Sequence, residues 1–181
     1  MQGNFKNDLD TKYNGIFKDL YVQWKLQSKK KYEELSSKGL ANSGVCLREK
    51  YKLMEKLINK AICNLQQLFN NLPTKYNRKM SFKDLEQYKE RTIKNIDGHI
   101  NNMEKGFGKE HKKDLLFTTG TNEIFLNNLK SNSKNEIDKL FNGIINLRKG
   151  KKIEKLVIFN VVFTILSFLI EIASLVVGIV K

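Results

Sequence analysis

Residues 47–72 read LREKYKLMEKLINKAICNLQQLFNNL, and apolar side chains recur in this stretch at every third or fourth position. The steps alternate between four and three through one set: Leu47, Tyr51, Met54, Ile58, Ala61, Leu65, Leu68 and Leu72. Such a heptad repeat is typical of an α-helix that packs along one stripe. Pro73, which cannot continue a helix, marks its end. Spacing alone leaves open whether the stripe packs within one chain or between chains, and we favour a core within the chain.

A similar helical pattern precedes this stretch, over about residues 5–36. Its apolar positions are also three or four apart, with Leu35 near the end: Phe5, Leu9, Tyr13, Ile16, Leu20 and Trp24. Residues 36–39 (SSKG) and 42–44 (NSG) then supply a cluster of helix-breaking residues. Two long helices joined by a short turn predict an antiparallel hairpin.

Two further helices are predicted downstream. The first begins at Ser81, because Ser81 and Asp84 have the spacing of a capping box with a shortened acid. Its apolar face continues to Gly106: Leu85, Tyr88, Ile96, His99 or Ile100, and Met103. Residues 106–121 (GFGKEHKKDLLFTTGT) predict an irregular segment. A last helix begins near residue 121, with residues 131–133 (SNS) as a candidate break, and continues through a second apolar set: Ile137, Leu140, Ile144 and Leu147.

Residues 156–180 read LVIFNVVFTILSFLIEIASLVVGIV, in which Glu171 is the one ionisable side chain. At about 1.5 Å per residue this helix is about 37 Å long, more than the roughly 30 Å of a bilayer's hydrocarbon core. The alternative, a buried core helix, needs a protein large enough to cover every face. The predicted fold class is therefore all-α, a long-helix bundle with an antiparallel hairpin and a single C-terminal transmembrane helix.

Basic residues crowd residues 148–155, a juxtamembrane cluster ahead of this segment: Arg148, Lys149, Lys151, Lys152 and Lys155. Lys181 alone follows the segment. Positive flanks stay on the cytoplasmic side, so residues 1–147 are predicted to form a cytoplasmic domain on a single-pass tail anchor in the membrane. The cluster is expected to contact anionic lipid of the inner leaflet.

The polar residues of the anchor and its glycine fall on one heptad seam, with steps of four and three: Asn160, Thr164, Ser167, Glu171, Ser174 and Gly178. Small and polar side chains on one face favour helix–helix association in lipid. An ionisable residue at this depth is expected to face a bundle interior or a water-filled cavity. The seam therefore predicts a homo-oligomer contact, with a pore ringed by Glu171 and a different membrane partner as the alternatives.

The formal net charge is +14, which favours anionic partners: phospholipid head groups, nucleic acid or an acidic protein. A coding bias that enriches Lys, Asn and Ile is the other source of such an excess. Residues 41–80 carry eight basic and two acidic side chains, so nucleic-acid binding is a rival hypothesis. No recognition-helix pattern accompanies them.

The sequence predicts no catalytic residue, cofactor or metal ligand. His99 and His111 stand without a neighbouring ligand pair, and Gly106-Phe107-Gly108 follows no strand that would complete a phosphate-binding loop. Cys46 and Cys63 are too few for a disulfide framework. We therefore expect a non-enzymatic membrane protein that self-associates through its anchor, as an interaction scaffold or a membrane-perturbing effector with a possible pore. The alternative is a membrane-tethered nucleic-acid-binding regulator.

Overall fold

The computed structural model describes residues 2–41, 43–72, 80–110 and 119–180, with side chains for 6–41, 43–72, 80–106, 123–151 and 153–164. Four helices occupy these ranges: α1 (Gln2–Ser37), α2 (Gly44–Asn70), α3 (Phe82–Glu110) and α4 (Thr119–Val180). The described residues contain no strand and the helices form a bundle, which confirms the all-α prediction. The chain divides into two compact units, residues 1–141 and 142–181.

The turn between α1 and α2 is closed by backbone hydrogen bonds at the end of α1. Gly39 adopts a φ of 70°, and its N–H donates to the Ser36 carbonyl at 2.9 Å. The Leu40 N–H donates to the Leu35 carbonyl at 2.8 Å, which completes a Schellman motif that reverses the chain. Ser43 then caps α2 by accepting from the Cys46 N–H. These local bonds produce the predicted short turn.

The predicted stripe of α2 is buried over most of its length within the chain. Tyr51, Met54, Ile58, Ala61 and Leu65 are buried, whereas the end positions are half-buried: Leu47, Leu68 and Leu72. The structure also buries four apolar residues of α2 that the heptad did not contain: Cys46, Leu57, Ile62 and Phe69. The buried face is wider than one stripe because α2 contacts more than one neighbouring helix.

Ring contacts show how α2 meets α4. Tyr51 lies 4.6 Å from Phe125, and Phe69 lies 5.0 Å from Phe141, measured between ring centroids. Because both pairs advance in the same direction along the chain, α2 and α4 are parallel. Phe69 also makes an edge-on contact of 5.5 Å with Tyr88 of α3. A single aromatic residue of α2 thus joins three helices.

Hydrogen bonds fix α1 against α3. Arg91 donates from its two terminal nitrogens to Asp10 at 2.8 Å and to Asn14 at 2.6 Å. The Tyr13 hydroxyl lies 3.0 Å from the Thr92 hydroxyl inside the interface. Since Thr92 donates its own proton to the carbonyl of residue 88, Tyr13 is the donor in this pair. The Tyr13 and Thr92 hydroxyls both have hydrogen-bond partners, so they are buried without a large desolvation cost.

Two expectations about helix ends were wrong. The helix α3 begins at the predicted cap, where Asp84 accepts from the Ser81 N–H at 2.8 Å, but it continues through Gly106 to Glu110. The helix α4 runs unbroken through residues 131–133. One glycine or serine costs a helix only about 1 kcal/mol or less, which continued hydrogen bonding outweighs. Residues 111–118 of the predicted irregular segment lie outside the described residues.

Replacing Ile58 by alanine tests the role of the α2 stripe. Ile58 is fully buried, so Ile58→Ala should lower the free energy of unfolding by about 2–5 kcal/mol through lost burial and a residual cavity. The exposed neighbour Glu55 provides the control, and Glu55→Ala should change stability by less than about 0.5 kcal/mol. Urea unfolding followed by circular dichroism measures both, and equal effects would contradict a core at Ile58.

Candidate functional site

The second unit carries a run of exposed apolar side chains on α4. Eight apolar residues of this run are each between 49% and 65% exposed: Ile153, Leu156, Val157, Ile158, Phe159, Val161, Val162 and Phe163. Phe159 and Phe163 stack one turn apart at 6.4 Å. Exposed apolar patches of this extent mark sites of contact with a protein, a ligand or a membrane.

These apolar residues surround the helix. Consecutive helical residues are about 100° apart, so the four residues of 156–159 already point in four directions. An amphipathic surface helix has one polar face, whereas a helix that is apolar all round is covered on all sides, by a large protein or by lipid. A partner that packs on one face would leave the others exposed.

Basic side chains form a collar just ahead of the apolar run. Lys149, Lys151 and Lys155 are exposed, and Arg148 is half-buried. Partial burial lowers the pKa of Arg148, although a guanidinium remains charged near neutral pH. The side chain of Lys152 lies outside the described residues. The collar therefore presents positive charge at the start of the exposed apolar run.

Two residues of the predicted polar seam have described side chains, and both are exposed. The Thr164 hydroxyl donates to the backbone carbonyl of Asn160 at 2.8 Å, so it is satisfied within its own helix. The Asn160 amide has both donor and acceptor capacity, which suits it to pairing across a helix–helix contact. The remaining seam residues lie on α4, with side chains outside the described set: Ser167, Glu171, Ser174 and Gly178.

The apolar exposure begins before the predicted boundary at Leu156. Leu147 is 68% exposed and Ile153 is 61% exposed, although both stand among charged residues. The periodicity of α4 had placed Leu147 on its packing face, and that expectation was wrong, whereas nothing in the sequence separated Ile153 from its basic neighbours. In the part of the chain that the structure describes, no helix is long and apolar enough to cross a membrane.

Titratable groups elsewhere do not form a catalytic arrangement among the described residues. Burial, and then the nearby Asp10 carboxylate, raises the pKa of Tyr88, which keeps its hydroxyl protonated rather than nucleophilic. Tyr13 likewise has a pKa raised by burial. Among the described residues, no three His, Cys, Asp or Glu side chains lie close enough together to hold a metal ion.

Comparison with protein-family models, with curated proteins and with solved structures finds no match to this chain. The function is therefore inferred from the chain's own residues.

His99 makes the stability of the α1–α3 interface sensitive to pH. Its ring stacks on Phe17 at 5.8 Å, its buried Nδ1 has no hydrogen-bond partner among the described residues, and burial lowers its pKa below 6.5. The unfolded chain therefore binds the proton first, and the free energy of unfolding should fall as pH drops below about 6.5. His99→Phe keeps the stacking and removes the titration. Urea midpoints at pH 7.5 and 5.5 should differ more for the wild type than for His99→Phe, and identical pH dependence would exclude this role.

Proposed function

We propose that this chain is a non-enzymatic, tail-anchored membrane protein that holds a helical bundle at the cytoplasmic surface and self-associates through its anchor. The observation that supports it is the exposure of apolar side chains on every side of α4 between residues 153 and 163. In the sequence the same apolar character continues to residue 180. A lipid bilayer covers all faces of such a helix at once.

Insertion energies favour the bilayer. Eighteen of the residues in 156–180 are Leu, Ile, Val or Phe, and each contributes about 0.3–0.6 kcal/mol, or roughly 5–11 kcal/mol together. Glu171 costs about 2.5–3.5 kcal/mol on the same scale if it lies near the bilayer centre. The apolar gain therefore exceeds the cost of the single acid.

The basic collar supports the orientation. Lys149, Lys151 and Lys155 are exposed at the start of the apolar run, where they would meet lipid head groups. Each Lys or Arg near an anionic surface contributes about 1 kcal/mol, and positive residues are retained on the cytoplasmic side. The bundle would then face the cytosol.

The seam supports self-association. Thr164 is satisfied by its own helix, so Asn160 and Glu171 are the seam residues that gain most from a partner's hydrogen bonds. A neutral Glu171 in a helix–helix contact gives a scaffold, and an ionised Glu171 around a water-filled centre gives a membrane-perturbing pore. Both forms require the same oligomer.

A tethered nucleic-acid-binding regulator is the second candidate. One cavity on the bundle is lined by four lysines and two glutamates, so it keeps a net positive charge: Lys30, Lys31, Lys52 and Lys56 against Glu34 and Glu49. Binding of the full chain to duplex or single-stranded DNA, weakening steeply as salt rises, would favour this candidate over the scaffold.

Membrane extraction tests the anchor and its orientation. The full chain should stay with membranes after alkaline carbonate washing, and external protease should not trim the bundle in intact cells. A double variant, Val162→Asp with Phe163→Asp, adds up to about 5–7 kcal/mol of insertion cost, the value for two acids at the bilayer centre, and should release much of the chain.

The conservative variant Phe163→Leu serves as the control and should remain in the membrane. Release of the wild-type chain by carbonate would rule out a transmembrane anchor. Trimming of the bundle from outside intact cells would reverse the orientation.

Substitutions in the seam test self-association. Glu171→Gln keeps a hydrogen-bonding group and should preserve association in bilayers while removing any proton- or cation-dependent conductance. Glu171→Leu removes both properties, and Gly178→Ile blocks close approach, so each should weaken association several-fold. Leu169→Ala lies off the seam and should have little effect.

Energy transfer between labelled chains in vesicles measures association, with ion flux followed in parallel. Equal association of the wild type, Glu171→Leu and Gly178→Ile would eliminate the seam as the contact. Association without ion flux would identify the scaffold rather than the pore.

A further inference from the structure

A groove follows the solvent side of the α1–α2 hairpin. One cavity of about 660 Å³ lies at the open end, between residues 8–19 of α1 and 64–72 of α2. Another of about 440 Å³ lies near the turn, between residues 27–34 and 49–56. Between them the groove is shallow, with a cavity of only about 10 Å³ that shares Ile16, Asp19 and Asn64 with the first. The lining residues of α1 extend from Asp8 to Glu34, about 40 Å of helix at 1.5 Å per residue, so a helix of more than twenty residues could lie across both cavities.

Apolar side chains lie along this groove without full burial. Ile16 of α1 lines it together with Leu53, Leu68 and Leu72 of α2, and all four are half-buried. Leu68 and Leu72 belong to the predicted heptad stripe, whose central members are fully covered. A groove between two helices with an apolar floor is the geometry that takes an amphipathic helix from a partner.

The charges along the groove are unequal at its two ends. Near the turn, Glu49 is paired with Lys52 at 3.0 Å and with Lys31 at 3.7 Å, and the hydrogen bond from Lys52 lowers its pKa. Lys30 and Lys56 line the same cavity and form no ion pair with any residue that the structure describes. This end therefore keeps unneutralised positive charge.

The open end carries carboxylates instead. Asp8 is paired with Lys12 at 2.9 Å, and Asp19 lines both the large cavity and the middle one. A polyanion such as nucleic acid would meet these carboxylates over half of the groove. A flat lipid surface does not enter a groove.

We infer that the α1–α2 groove binds an amphipathic helix of another protein, with its apolar residues on Ile16, Leu53 and Leu68 and its acidic residues over Lys30 and Lys56. The groove thereby gives the bundle a docking function that does not depend on how the chain reaches the membrane. The partner is identified by its chemistry: a helix with an apolar stripe and acidic flanks at one end.

A designed peptide tests this inference on the full chain in zwitterionic nanodiscs. The probe is a fluorescein-labelled helix of about 21 residues, with Leu at positions i, i+3, i+4 and i+7 and Glu flanking the stripe at one end. The matched peptide has the same composition with the Leu residues rearranged to remove the stripe. Anisotropy should show binding of the first peptide and at least about tenfold weaker binding of the second. Equal binding of both peptides would overturn the inference, because charge alone would then suffice.

Glycine variants locate the binding site. A Cβ added at Gly15, which lines the large cavity, meets nothing within 4 Å, so Gly15→Leu places a side chain in the groove from a position with room for its Cβ. The matched control is Gly98→Leu on α3, where an added Cβ also meets nothing within 4 Å. Gly15→Leu should weaken peptide binding at least about tenfold and Gly98→Leu should leave it unchanged. Unchanged binding to a folded Gly15→Leu chain would place the peptide elsewhere.

A charge reversal provides the second variant. Lys56→Glu should weaken the acidic peptide several-fold, and a peptide with Lys in place of its flanking Glu should regain that loss against the same variant. Failure of the reversed peptide to recover binding would reject the assigned orientation of the helix in the groove. Membrane extraction of these variants should match the wild type, so the docking site and the anchor are tested separately.

Discussion

The contact of α2 with its neighbours is the interaction on which the bundle depends. Its apolar side chains recur with a period close to that of the helix, and Phe69 alone reaches Tyr88 of α3 and Phe141 of α4 within 5.5 Å. Tyr51 repeats the contact with α4 near the other end of α2. Because these neighbours occupy only part of its circumference, α2 keeps one side that is shared with α1 and open to solvent. The groove is the consequence of that incomplete coverage.

Polar contacts add specificity to this apolar packing. Hydrogen bonds fix the position of α3 along α1. Arg91 binds Asp10 and Asn14, and Tyr13 binds Thr92. Apolar stripes on two helices tolerate a shift by one turn, whereas these directional bonds do not. Exposed ion pairs along single helices contribute less, at roughly 0–1 kcal/mol each. Packing therefore supplies most of the stability, and hydrogen bonds select one arrangement.

The helix α4 changes character along its length. Leu126, Leu129, Ile137 and Phe141 are buried on one face, as in an ordinary bundle helix. From Ile153 to Phe163 the apolar residues instead occupy every face and are exposed. Buried apolar surface stabilises the fold, whereas apolar surface exposed on all sides requires an environment that the described chain does not provide. The proposed membrane anchor and the groove are thus two exposed surfaces of different kinds. The anchor is apolar on all sides, and the groove is amphipathic.

The sequence by itself determined features whose cause lies within a few helical turns. These are the stripe of α2, the cap formed by Ser81 and Asp84, the breakers between α1 and α2, and the predominantly apolar character of residues 156–180. The tertiary structure decided which further residues are buried, such as Phe69, because its ring partners lie on helices farther along the chain. The contact of Arg91 with Asp10 joins residues 81 positions apart and left no local signal. The groove likewise left no signal in the sequence, because its lining residues come from two helices and form one surface only when those helices pack.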